Sequence, residues 1–123
     1  MTSFYPGRAP VEAYGGGGFR FAGMSHRGSI LLLPSGIFAW PVTGMADLEA
    51  SRLEQVFRER AEIDLMILGT GAAMARPSPA IRDAFAAADI QLDCMATPFA
   101  ISTYNLLLEE KRRVAAGLLA IPA

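Results

Sequence analysis

A chain of 123 residues with 52% hydrophobic and 19% charged side chains is sized for one domain with a real core, and it is too apolar for disorder. Its net charge of −1 gives no reason to expect the broad basic surface of a nucleic-acid binder. One cysteine, Cys94, and one histidine, His26, exclude an intrachain disulfide and any metal site rich in either residue.

The N-terminus, MTSFYPGRAPVEAY, lacks the long apolar stretch of a signal peptide, and no segment approaches the ~20 apolar residues of a membrane span. Residues 1–18, ending in four glycines at 15–18, read as a flexible segment before a single α/β domain over 19–123. FRFAG, SILLLP and IFAWPV are strand candidates. Ser25 to Gly28 and Pro34 to Gly36 carry turn chemistry between them, which predicts an antiparallel meander. Pro41 predicts an early end or an edge position for the third strand.

The period then lengthens. Residues 46–62 place Leu53, Val56 and Phe57 on one face of a predicted helix, with Asp47 or Ser51 as its cap. IDLMILG, apolar on both faces, reads as a central strand. Ser78-Pro79 is a helix start, with serine as cap and proline in the first turn. A strand at 90–95 follows, and Thr97-Pro98 repeats the start signal for a helix to about Glu110. The tail from Val114 supplies a last strand. These alternations predict a three-layer domain with a central mixed sheet, N-terminal antiparallel strands being followed by β-α-β-α-β units.

The turn in LMILGTGAAMARPSPAIRDAF resembles a dinucleotide loop, and Asp93 lies where a ribose-binding acid would fall. That fingerprint needs a third small residue and a helix opening directly from the turn. Here Met74 holds the third position and the helix waits until Ser78. No phosphate-binding lysine is present, and Arg76 is the base nearby. The stronger reading is a tight strand exit that needs positive φ or close backbone approach.

No catalytic set emerges. His26 falls in a predicted polar turn, Cys94 in an apolar run, and the chain has no GxSxG elbow. In the third helix Ile101, Tyr104, Leu107 and Leu108 form an apolar face, bordered by Asn105, Glu109 and Arg112. Asn105 and Glu109 are expected to satisfy nearby backbone, with Arg112 or Arg113 pairing to Glu109. The competing reading is a polar cleft beside the glycine turn. Leu106 falls off the main apolar face, so it is either covered by another element or part of an exposed contact patch.

Gly69 and Gly71, Met95 and Thr97, Thr103 to Asn105, Glu109, and Arg113 to Ala116 together form a pattern. It resembles a family of small proteins of unknown function that includes the mitochondrial assembly factor 3 of NADH:ubiquinone oxidoreductase (complex I). GGFRFAG and SILLLPSGIFAWPV resemble the family's opening strands, so the likeness covers nearly the whole domain. Two departures stand out: Ile101-Ser102 replaces a common cysteine and arginine, and Asp93-Cys94 replaces Glu and an apolar residue. The resemblance implies a three-layer α/β fold, no cofactor and no established enzyme activity.

The expected function is therefore a non-enzymatic assembly or interaction protein with protein partners among respiratory-chain or membrane-protein assembly components. No nucleic acid, metal or cofactor is expected. A cytoplasmic location is expected, with inner-membrane contact only through a partner; oligomeric state stays open. The contact or ligand residues would be Gly69, Thr70, Gly71, Arg76, Thr97, Asn105 and Glu109. The alternative is an anion or nucleotide site on that same loop and helix border.

Overall fold

Alternation along three strands sorts the core into two halves. In the computed structural model, which describes residues 3–122, Leu31 and Leu33 of one strand pack to one side and Ile30 and Leu32 to the other. Met66 and Leu68 against Ile67, and Ala115 against Val114, Ala116 and Leu118, repeat the division. A strand buried on both faces needs a layer above and a layer below, and the chain supplies both.

The strands are β1 (Tyr5–Pro6), β2 (Val11–Gly15), β3 (Gly18–Phe21), β4 (Met24–Arg27), β5 (Ser29–Leu33), β6 (Gly36–Trp40), β7 (Leu65–Gly69), β8 (Gln91–Met95) and β9 (Val114–Leu118). The α-helices are α1 (Glu54–Arg58), α2 (Pro79–Ala87) and α3 (Thr97–Glu109). The main sheet has the order β1-β6-β5-β9-β7-β8. β5 runs antiparallel to β6 and β9, whereas β7 runs parallel to β9 and β8, so the sheet is mixed as expected. One face packs Leu53, Val56, Ile81 and Phe85 from the α1 and α2 side. The other packs Ala100, Ile101 and Tyr104 of α3, together with Val11, Phe19 and Phe21 of a second sheet, β2-β3-β4. These are three layers.

That second sheet corrects the reading of the N-terminal third. Residues 5–6 and 11–15, expected within a flexible segment, are strands, and the boundary drawn at residue 18 falls inside a hairpin. Gly16 and Gly17 have φ of 58° and 81°, the two consecutive positive values that a tight hairpin turn demands. The glycine run is a turn. Likewise Ser25 to Arg27, expected as a turn, lies in β4. The reversal comes earlier, at Ala22 and Gly23, where φ is again positive. FRFAG thus pairs with β2 and β4 rather than forming a meander with β5, while β5 and β6 do form the expected hairpin.

The expected helix over 46–62 is broken into 3-10 turns at Met45–Asp47, Ala50–Leu53 and Arg60–Glu62 around the short α1. Neither Asp47 nor Ser51 caps it; Asp47 instead accepts the Thr43 hydroxyl at 2.5 Å. Leu53 and Val56 still reach the core. α2 starts as expected, with the Ser78 hydroxyl accepting the Ile81 N–H and Pro79 in the first turn.

Candidate functional site

β7, β8 and β9 run parallel and end together at Gly69, Met95 and Leu118, and α3 begins at the same end. Open α/β sheets often bind ligands at such an end. Here the end is closed by the chain itself. The Thr97 side chain, fully buried, accepts a hydrogen bond from the Gly71 N–H at 2.9 Å and donates one to the Leu119 carbonyl at 2.8 Å. The Thr97 N–H donates to the Gly71 carbonyl, and the Leu119 N–H donates to that of Gly69. Thr70 completes the knot. Its N–H donates to the Met95 carbonyl, and its hydroxyl donates to the Ala73 carbonyl and accepts from the Ala75 N–H.

Thr97 was expected to cap α3, but Ala96 holds the cap position without a side-chain hydrogen bond. The threonine hydroxyl is used sideways, across the sheet, because a capping geometry would abandon the buried Leu119 carbonyl and the half-buried Gly71 N–H. The two glycines have different reasons. A Cβ at Gly69 would stand 3.0 Å from Thr97 Oγ1 and Leu118 Cδ2 and 3.1 Å from Ala100 Cβ, so close approach decides it. Gly71 has open space around it but a φ of +102°, which other residues rarely adopt. The tight strand exit read from the sequence is what forms.

The remaining candidates do not converge on this corner. Asn105 lies about 12 Å further along α3 and Glu109 about 18 Å, at 1.5 Å per residue. Asn105 clasps the backbone of one residue. The Val11 N–H donates to its Oδ1 at 2.9 Å, and its Nδ2 donates to the Val11 carbonyl at 2.8 Å. It therefore ties β2 to α3, satisfying backbone as expected. Glu109 does not: it is exposed, and the expected pairing with Arg112 or Arg113 is replaced by an Arg113–Asp64 contact at 3.4 Å. Arg76 is exposed on the loop before α2. The polar cleft of the alternative reading is thus not assembled among the described residues.

His26, expected in a solvated turn, is half-buried in β4 with its ring 4.6 Å from that of Phe4, and burial lowers its pKa. Cys94 is half-buried on β8. Burial, with Asp93 adding to it, pushes its thiol up to about 11, so the group stays protonated at neutral pH. Among the described residues no three His, Cys, Asp or Glu side chains are grouped to hold a metal ion. No described helix is long and apolar enough to cross a membrane.

Sequence reasoning passed over a second polar tie. Ser29, buried at the head of β5, donates to the Val42 carbonyl at 2.7 Å and accepts the Ala120 N–H at 3.0 Å. Its only signal in the sequence is a serine leading an otherwise apolar run. Leu106 proves to be exposed, as one of its two expected placements had it.

Residues 11–119 match the model of a family described as protein of unknown function (DUF498/DUF598), and the chain belongs to that family. An uncharacterized protein from Rhodobacter capsulatus is 36% identical over 96% of this chain and 90% of its own length. The zebrafish NADH dehydrogenase [ubiquinone] 1 alpha subcomplex assembly factor 3 is 30% identical over 92% of this chain. The chain spans 65% of that relative's length. Among solved structures, the crystal structure of a Bartonella henselae protein described as an outer membrane protein superposes with a TM-score of 0.91. It is 44% identical, over 95% of this chain and 98% of that one. The family resemblance and the mixed-sheet α/β fold expected from the sequence are both borne out.

Proposed function

We propose that this chain is an assembly protein that acts by binding other proteins, without catalysis, during maturation of a membrane-bound NADH dehydrogenase. The observation that carries the reading is the likeness to assembly factor 3, which runs over 92% of this chain. The corner supports it from the chemical side. Gly69, Thr70, Gly71 and Thr97 spend their polar groups on one another and on neighbouring backbone, which is what a scaffold needs and a ligand cradle avoids. The protein would work in the cytoplasm and meet the inner membrane through its partner.

Deletion of the gene in its own organism tests this. Assembled NADH dehydrogenase, measured on native gels, should fall and be restored when the chain is supplied again. Normal levels of the assembled enzyme in the deletion strain would sink the proposal.

A further inference from the structure

Among the described residues five large hydrophobic side chains are exposed, and three of them belong to segments that pack against the outermost strand of the main sheet: Met74 on the loop before α2, and Phe99 and Leu106 two turns apart on α3. Met74 lines a groove with Cys94 and Met95 of β8. Phe99 and Leu106 are helical neighbours of Thr103, whose hydroxyl lies 3.5 Å from Met95 Sδ. The edge is β8, which pairs with β7 and with no other described strand.

The backbone of β8 shows which of its groups point outward. The Gln91 N–H donates to the Asp64 carbonyl and the Met95 carbonyl accepts from the Thr70 N–H, so the odd-numbered residues face β7. Backbone direction alternates along a strand, so the N–H and C=O of Leu92 and Cys94 face away from the sheet. Neither residue has another backbone partner among the described residues. Beside them runs a groove of about 490 Å³, floored by Phe85, Ile90 and Leu92. Arg82 and Asp93 line it, and neither is in an ion pair among the described residues.

We propose that β8 is the docking site for an extended segment of a partner protein, which adds a strand to the sheet. This rests on the reading that the chain works by binding proteins. Unpaired, regularly spaced N–H and C=O groups recognise an extended backbone, and the apolar borders on both sides of the strand recognise its alternate side chains. The charges ask for a basic residue of the segment near Asp93 and an acidic one near Arg82. A second copy of this chain fits less well. Antiparallel self-pairing about the middle of β8 sets Asp93 against Asp93 of the copy, with Cα atoms about 4.5 Å apart.

The test uses the full chain and two synthetic peptides of about nine residues, a usual strand length, with alternating valine and threonine. One carries a central lysine and the other a glutamate. Titration followed by amide exchange should slow the Leu92 and Cys94 amides roughly tenfold or more. The lysine peptide should bind about fivefold more tightly, the scale of one exposed ion pair, and Asp93→Lys should reverse the order. Cys94→Pro removes an outward N–H while leaving the bonds to β7, so it should abolish binding with the exchange of β7 amides unchanged. Absence of protection at Leu92 and Cys94 with either peptide overturns the proposal. So does protection that rises with chain concentration alone, which gives the edge to a second copy. If Cys94→Pro fully restores dehydrogenase assembly in the deletion strain, the docking site falls and the assembly reading stands. If deletion itself changes nothing, the assembly reading falls and the peptide titration alone decides the docking site.

Discussion

The Gly69–Thr97 corner and the β8 edge sit side by side at one end of the sheet, and they treat their polar groups in opposite ways. At the corner two threonine hydroxyls and the backbone of Gly69, Gly71, Met95 and Leu119 are consumed within the molecule. Along β8 the outward backbone groups have no partner among the described residues, and exposed Met74 lines the groove beside them. The turn that resembles a ligand loop in sequence spends its polar groups internally, whereas β8 keeps its outward backbone groups unpaired among the described residues.

The strongest way to break that contrast is to open the corner. Thr97→Val keeps the shape and removes the hydroxyl, leaving the buried Leu119 carbonyl and the half-buried Gly71 N–H without that partner. Urea unfolding should show a loss of about 2–4 kcal/mol, most of it from the buried Leu119 carbonyl and the rest from the half-buried Gly71 N–H. A loss below 0.5 kcal/mol, on the scale of a surface change, would mean the corner is not a structural lock.

Alkaline pH tests the two sides together. Burial holds the Tyr104 phenol at about 12, against an ordinary 10.0, with Arg8 opposing the rise, and its Oη has no hydrogen-bond partner among the described residues. The folded chain therefore holds this proton longer than the unfolded chain. Stability is full below pH 10 and is lost as pH rises towards 12, by about 3 kcal/mol at about 1.4 per pH unit. Cys94, half-exposed on the edge, has the same sign in a window from 9.0 to about 11, with a smaller effect because solvent screens it. Unfolding measured between pH 9 and 12 should show both losses. Tyr104→Phe should remove the upper one and at neutral pH cost less than about 1 kcal/mol, since the hydroxyl has no described partner.

Asn105→Ala should cost about 1–2 kcal/mol by releasing the Val11 backbone. Amide exchange at Val11 should quicken well before that of β7. The smallest effect belongs to Glu109→Gln, which should stay within about 0.5 kcal/mol because that carboxylate is exposed and unpaired among the described residues. If it nevertheless lowers dehydrogenase assembly, Glu109 belongs with β8 as a contact residue.

Much of the α/β half was legible because its signals are local. Ser78-Pro79 caps and starts a helix within four residues, and the two-sided apolar run of β7 announces a covered strand. The N-terminal third was not legible, because its key fact is φ. Four glycines read alike on paper, but two of them sit in a turn that needs positive φ at both positions. Thr97 misled for a related reason. Threonine before proline looks like a cap from its neighbours alone, but its partners, Gly71 and Leu119, lie 26 and 22 residues away. The open edge was invisible for the same reason, since strand order is a property of the whole chain.

β9 lies between β5, to which it is antiparallel, and β7, to which it is parallel. During synthesis the β5–β6 hairpin and the β7–α2–β8–α3 unit emerge first, and the strand that joins them emerges after both. Until Val114 to Leu118 leave the ribosome, β5 and β7 each have an open flank, and the hydroxyls of Ser29 and Thr97 await Ala120 and Leu119. Closure thus depends on contacts of high sequence separation, a slow and aggregation-exposed step. A nascent chain stopped before residue 114 would present two half-sheets to chaperones and proteases rather than a smaller version of the domain.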